Sequence, residues 1–150
     1  MSYAKETMTD PDDLAAEASA LRIAAFRLTR RLRAQRAVDT MSDAQFAVLG
    51  TLKTHGPHTL GMLAERERVS APSMNRTVNC LEELGYLTRT GNEADRRKVD
   101  IALTPAGLDV VEETVRRRDA WLEDALTTLS PDDRETLRRA VVVMEAMARR

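Results

Sequence analysis

The chain has 150 residues, enough for one compact domain with its own core but short of two full domains. Aromatic residues make up only 3%, so a core must be built from Leu, Ala, Val and Met, a mix that favours helices packed on helices over a β-sandwich. The net charge of −1 excludes a bulk electrostatic pull toward nucleic acid, and the single cysteine excludes an intramolecular disulfide.

From Pro11 the apolar positions Leu14, Ala18, Leu21, Ala25, Leu28 and Leu32 step by fours and threes. This spacing predicts a long helix with a heptad-like seam, fading near Val38. Ser42 caps a second helix with the stripe Phe46, Leu49 and Leu52, stopped by His55-Gly56-Pro57. Thr59 caps a short third helix carrying Leu60, Leu63 and Ala64. After the tight connection Glu67-Arg68-Val69, Ser70 caps a fourth, with Pro72 in the first turn, where a missing N–H costs little. Gly85 ends that helix.

The period then changes to two. Val99, Ile101 and Leu103 alternate with Lys98, Asp100 and Ala102, as in a half-buried strand, and Tyr86 to Thr90 is its partner across an exposed loop from Gly91 to Arg97. Thr104-Pro105 opens a helix with Leu108, Val111, Val115, Leu122, Leu126 and Leu129, and Ser130-Pro131 opens a last one with Leu137, Val141, Met144 and Met147. The fold class expected is mainly α with a small β-hairpin. The start, Met1 to Asp13, lacks the apolar core of a secretory signal, and the run Ala140 to Met144 is too short to span a bilayer. A cytoplasmic protein with no membrane partner is expected.

Two short helices joined by a tight turn and followed by a hairpin describe a winged helix-turn-helix, whose second helix enters the major groove of DNA. On the fourth helix Met74, Val78, Leu81 and Leu84 form the expected core side, while Pro72, Asn75, Arg76 and Asn79 fall opposite. Asn can bond adenine bidentately and Arg guanine; Ser70 and Ser73 can bond phosphate at the helix start. The same face also reads as a solvated polar surface. At the hairpin tip Asp95 precedes three cations, Arg96, Arg97 and Lys98, which suit a narrow minor groove or, equally, an edge protected by charge. From Arg68 to Lys98 six cations face four acids, so local placement carries the argument rather than bulk charge.

The run from Leu63 to Arg89 resembles the helix-turn-helix of the MarR family of transcriptional regulators. Asp95-Arg96-Arg97 and the run from Val99 to Gly107 resemble that family's wing and its exit into the next helix. Gln45 to Leu49 and His55 to Leu60 are similar to the family as well. The resemblance implies a single domain over 1–150. Within it, 1–39 and 104–150 form a helical dimerisation region and 40–103 a winged helix-turn-helix DNA-binding module. It further implies a homodimeric repressor on a double-stranded inverted-repeat operator. Ser70 to Asn79 serve as recognition helix, and Asp95 with Arg97 as the wing-tip pair. One departure stands out: the turn position the family gives to a small residue is Arg68 here, and an L-residue in a left-handed conformation costs roughly 1–2 kcal/mol.

Relatives of this kind respond to small aromatic or anionic effectors, and Arg22, Arg33 and Arg36 beside the first helix's seam suit a carboxylate; the alternative is a solvated face. His55 and His58, the only histidines, read as loop residues, because zinc needs three or four ligands. Cys80 reads as a packed thiol and Trp121 as a packing residue. No nucleophile-with-base pair, glycine-rich phosphate loop or paired-acid motif is present, so neither an enzyme nor a metal or other cofactor is expected. The rival class is a helical dimer whose winged helix binds a protein partner.

Overall fold

A computed structural model describes residues 11–91, 95 and 99–149. In chain order the elements are α1 (Pro11–Ala34), α2 (Asp43–His55), β1 (His58–Thr59), α3 (Leu60–Arg66), α4 (Ala71–Glu83), β2 (Leu87–Gly91), β3 (Val99–Leu103), α5 (Pro105–Thr127) and α6 (Pro131–Ala148). Mainly helical with a small antiparallel sheet, this is the expected fold class. The chain divides into two compact units, residues 1–34 and 35–150. Among the described residues no helix is long and apolar enough to cross a membrane.

Polar side chains set the helix starts. Ser42 and Gln45 form a reciprocal capping box at α2, while Thr59, Ser70, Thr104 and Ser130 each accept a backbone N–H in the first turn of α3, α4, α5 and α6. Proline stands in the first turn of the last three of these helices, where its fixed φ helps.

The first helix ends at Ala34 rather than near Val38. Backbone groups of the next residues are taken elsewhere: the Ala37 N–H donates to the buried Thr114 hydroxyl at 3.1 Å, and the Arg36 carbonyl accepts from Arg117 at 2.6 Å. These bonds hold the segment after α1 on α5. Arg36 itself donates to the Met41 carbonyl at 2.5 Å and pairs with Asp43 at 2.7 Å, fixing the entry to α2.

The sheet order is β1-β3-β2, with Arg89 opposite Ile101 and His58 opposite the same Ile101 on the other edge. The two-residue β1 was not anticipated, because a bridge that short leaves no alternation to read. Only Ile101 of β3 is fully buried; Val99 is exposed and Leu103 half-buried. The core runs through Met41, Val48, Leu49, Leu52, Leu63, Ala64, Met74, Val78, Leu81, Leu87, Ile101 and Val111, which belong to α2, α3, α4, the sheet, the first turns of α5 and the segment before α2. By contrast α6 buries no residue.

Candidate nucleic-acid interface

The expected recognition helix is α4, and its two faces differ sharply. Met74, Val78 and Leu81 are at most 2% exposed and lock it against α2 and α3. Leu84, expected on the same side, is exposed. At 100° per residue it has drifted about 80° from Met74, off the stripe that Val78 and Leu81 hold. Pro72, Asn75, Arg76 and Asn79 are all exposed, and Ser73 is half-buried beside them. The structure thus brings the expected α4 residues onto one accessible face.

That helix is presented by the turn before it. Arg68 adopts a left-handed conformation, φ 53°. Its N–H bonds to the Glu65 carbonyl at 3.1 Å while the Val69 N–H reaches the Ala64 carbonyl at 3.0 Å, the paired bonds of a Schellman close. The same pair recurs after α4, from Gly85 to Glu82 and from Tyr86 to Leu81, each at 2.9 Å, with Gly85 at φ 78°. Glycine tolerates this conformation without cost; arginine does not.

At the start of α4, Ser70 Oγ accepts from the Ser73 N–H at 3.3 Å, and Ser73 Oγ accepts from Arg76 at 3.1 Å. Both hydroxyl oxygens act as acceptors there, so each O–H remains able to donate to a phosphate. Thr51 donates to Glu67 at 2.6 Å, tying α2 to the turn.

The hairpin contributes a residue that sequence reading missed as a site residue. Arg89, on β2, ion-pairs with Glu82 of α4 and donates to Asn79 Oδ1 at 2.7 Å and to Asn75 Oδ1 at 3.4 Å. In the sequence it counted only as one of six cations; its role emerges once β2 folds back along α4. Of the wing tip, Asp95 is half-buried, while Arg96, Arg97 and Lys98 lie outside the described residues.

Arg22 and Arg33 both lie on α1 and are exposed. Eleven residues separate them, which puts them on one face but about 16 Å apart along the axis, too far to grip one carboxylate together. Arg36 belongs to the other unit and is engaged with Met41 and Asp43.

The remaining polar candidates have structural partners. His58 is buried, and its Nδ1 lies 2.9 Å from the Gly56 carbonyl; a carbonyl only accepts, so Nδ1 carries the hydrogen. His55 Nε2 lies 3.0 Å from Arg66. The half-buried Cys80 thiol accepts from Gln45 at 3.1 Å. Trp121 is half-buried. Among the described residues no group of three or more His, Cys, Asp or Glu could hold a metal ion.

Comparison with known proteins agrees with this geometry. Residues 41–99, which include α2, the turn and α4, match the MarR family. The chain is 37% identical over 130 residues to an HTH-type transcriptional regulator of Mycobacterium bovis, covering 87% of this chain and 91% of that one. A MarR family protein from Bacillus stearothermophilus superposes with a TM-score of 0.81 at 22% identity, over 95% of this chain and 99% of that one. A MepR mutant of S. aureus, solved bound to an oligodeoxyribonucleotide, superposes at 0.69 with 19% identity, over 88% of this chain and 97% of that one. With a relative this similar over nearly its whole length, and the family's helix-turn-helix matched in place, the chain belongs to the MarR family of transcriptional regulators.

Proposed function

We propose that this regulator is a cytoplasmic, non-enzymatic homodimer that represses transcription by occupying an inverted-repeat operator through α4. The observation that carries this reading is the exposed face Pro72, Asn75, Arg76 and Asn79, set back to back with the buried Met74, Val78 and Leu81. A helix locked on one side and polar on the other is what major-groove readout requires. Ser70 and Ser73 donate to phosphate at its N-terminus. Asp95, Arg96, Arg97 and Lys98 are assigned to the wing that tracks the adjacent backbone or minor groove. Residues 40–103 are the DNA-binding module; 1–39 and 104–150 serve dimerisation.

Exposed apolar side chains on three helices support the dimer. Leu14, Leu21 and Leu28 on α1, Val115 and Leu126 on α5, and Leu137, Val141 and Met144 on α6 all face solvent in the single chain. Such surface is normally covered in an obligate interface of about 2,000 Å² or more. A hydrophobic acid is proposed as effector, its carboxylate taken by one of Arg22, Arg33 or Arg36. It releases DNA only if it binds the non-DNA arrangement better. A salicylate-like acid that weakens operator binding while its neutral amide does not supports this role; equal effects of the two remove it.

The DNA assignment is tested with a duplex selected from a random library and a scrambled duplex of equal length. Arg76→Ala and Asn79→Ala should each weaken the selected duplex by about 1–3 kcal/mol while leaving the scrambled one nearly unchanged. Equal losses on both would move these residues to phosphate contacts. Absence of any DNA binding would favour a protein partner instead.

A further inference from the structure

The hydrogen bonds around Arg89 bear on which base the recognition helix reads. Asn75 and Asn79 are four residues apart on the exposed face of α4, and both present Oδ1 to the Arg89 guanidinium, at 3.4 and 2.7 Å. The amide orientation follows from chemistry: a guanidinium has only donors, so whichever amide atom faces it must be the oxygen. Arg89 is itself ion-paired with Glu82, the carboxylate of the same network. Its planar fork therefore spans a carboxylate with one nitrogen and the two amides with the other, a geometry a single ammonium cannot reproduce.

Asparagine reads adenine by using both amide atoms at once, Oδ1 accepting from N6–H and Nδ2 donating to N7. With a guanidinium already donating to Oδ1, a second donor brought to that oxygen would sit beside a positive charge. That leaves the Nδ2–H₂ group as the end of the amide available to a base. Resting on the assignment of α4 to the major groove, we propose that Arg89 is a specificity-determining positioning residue. It turns Asn79 into a donor-only reader that selects guanine, with its N7 and O6 acceptors, over adenine. Asn75, more loosely held, is biased in the same direction. Arg89 acts through the asparagine and contacts no base.

The test is selection from a randomised double-stranded DNA library by the full-length protein and its variants, each read as a base-frequency profile. Asn79→Ala identifies the position read by Asn79 as the one whose preference collapses. At that position the wild type should enrich guanine over adenine. Arg89→Ala should shift the ratio toward adenine by about tenfold or more, the scale of one bidentate contact, with other positions unchanged. Arg89→Lys, which keeps a cation beside Glu82 should Arg89→Ala fold poorly, should shift the same position in the same direction. In the Asn79→Ala background neither Arg89 variant should alter the profile further.

A wild type that selects adenine there overturns the proposal, as does a profile indifferent to Arg89. A change that persists without Asn79 also overturns it, since Arg89 would then read DNA itself. If the wild type enriches no sequence at all, the DNA-binding assignment falls as well, a result distinct from every outcome that sinks only the role of Arg89.

Discussion

Arg68 holds the one left-handed non-glycine conformation among the described residues, at the turn before α4. A Schellman close needs that conformation whatever residue supplies it, and at Gly85 the same bonds form around glycine. Arg68→Gly should therefore stabilise the fold by about 0.5–1 kcal/mol, the relief of strain less the greater unfolded-state freedom of glycine. For a domain of this size that is a rise in Tm of roughly 1–4 °C, read by thermal denaturation. An unchanged or lower Tm would mean the turn carries no strain. Loss of DNA affinity in the same, more stable variant would show what the arginine is kept for.

Glu113 accepts hydrogen bonds from Arg116 and then Arg117, which hold its carboxyl at about 2, below its ordinary 4.5. A depressed carboxylate adds stability above the ordinary value and loses it as pH falls toward the depressed one. Any contribution is thus complete at neutral pH and disappears only on acidification from about 4.5 toward 2. The cluster is solvent-exposed and screened, so the effect on stability is small. Carboxyl NMR titration of Glu113 should give the low midpoint in the wild type, a higher one in Arg116→Ala, where Arg117 still pairs with it, and an ordinary one only when both arginines are replaced. An ordinary midpoint in the wild type would contradict the pairing.

Among elements, the hairpin and α5 meet backbone on backbone. Gly107 is buried, and a Cβ placed there would lie 2.1 Å from the Tyr86 carbonyl oxygen. The same carbonyl accepts the Thr104 N–H at 3.1 Å, and the Thr104 hydroxyl donates to Gly85 at 2.6 Å while capping α5. Backbone on backbone leaves no side chain to move aside, so Gly107→Ala should cost about 1–3 kcal/mol or more, measured by urea denaturation. A neutral Gly107→Ala would show that α5 slides freely on the hairpin.

Most of this architecture was legible in the sequence because caps and periods are local signals. Ser42, Thr59, Ser70, Thr104 and Ser130 stand where the helices begin, and Gly85 where one ends. What was missed depends on distant neighbours. The early end of α1 follows from Thr114 and Arg117, each about eighty positions away. The bridge at β1 exists only because β3 arrives beside it. The exposed α4 residues were foreseen from helical spacing alone, whereas Arg89, ten to fourteen residues later, joins them only in three dimensions.

The described core lies between Met41 and Val111, and α6 buries nothing within its own chain. Light scattering at micromolar concentration should give twice the chain mass. Charging the exposed face of α6, as in Leu137→Glu with Val141→Glu, should lower it to one. A wild-type monomer at that concentration would contradict the dimer. Two copies of α4 should then meet half-sites roughly 10 bp apart between centres.

If the α4 face binds DNA by sequence, titration of anisotropy against salt must show both a phosphate contribution and discrimination between duplexes. Affinity for a library-selected duplex and for a scrambled one is measured between about 50 and 200 mM salt. Log affinity should fall linearly with log salt for both, with the selected duplex bound about a thousandfold tighter or more. Equal affinity for the two duplexes, or binding indifferent to salt, would contradict it.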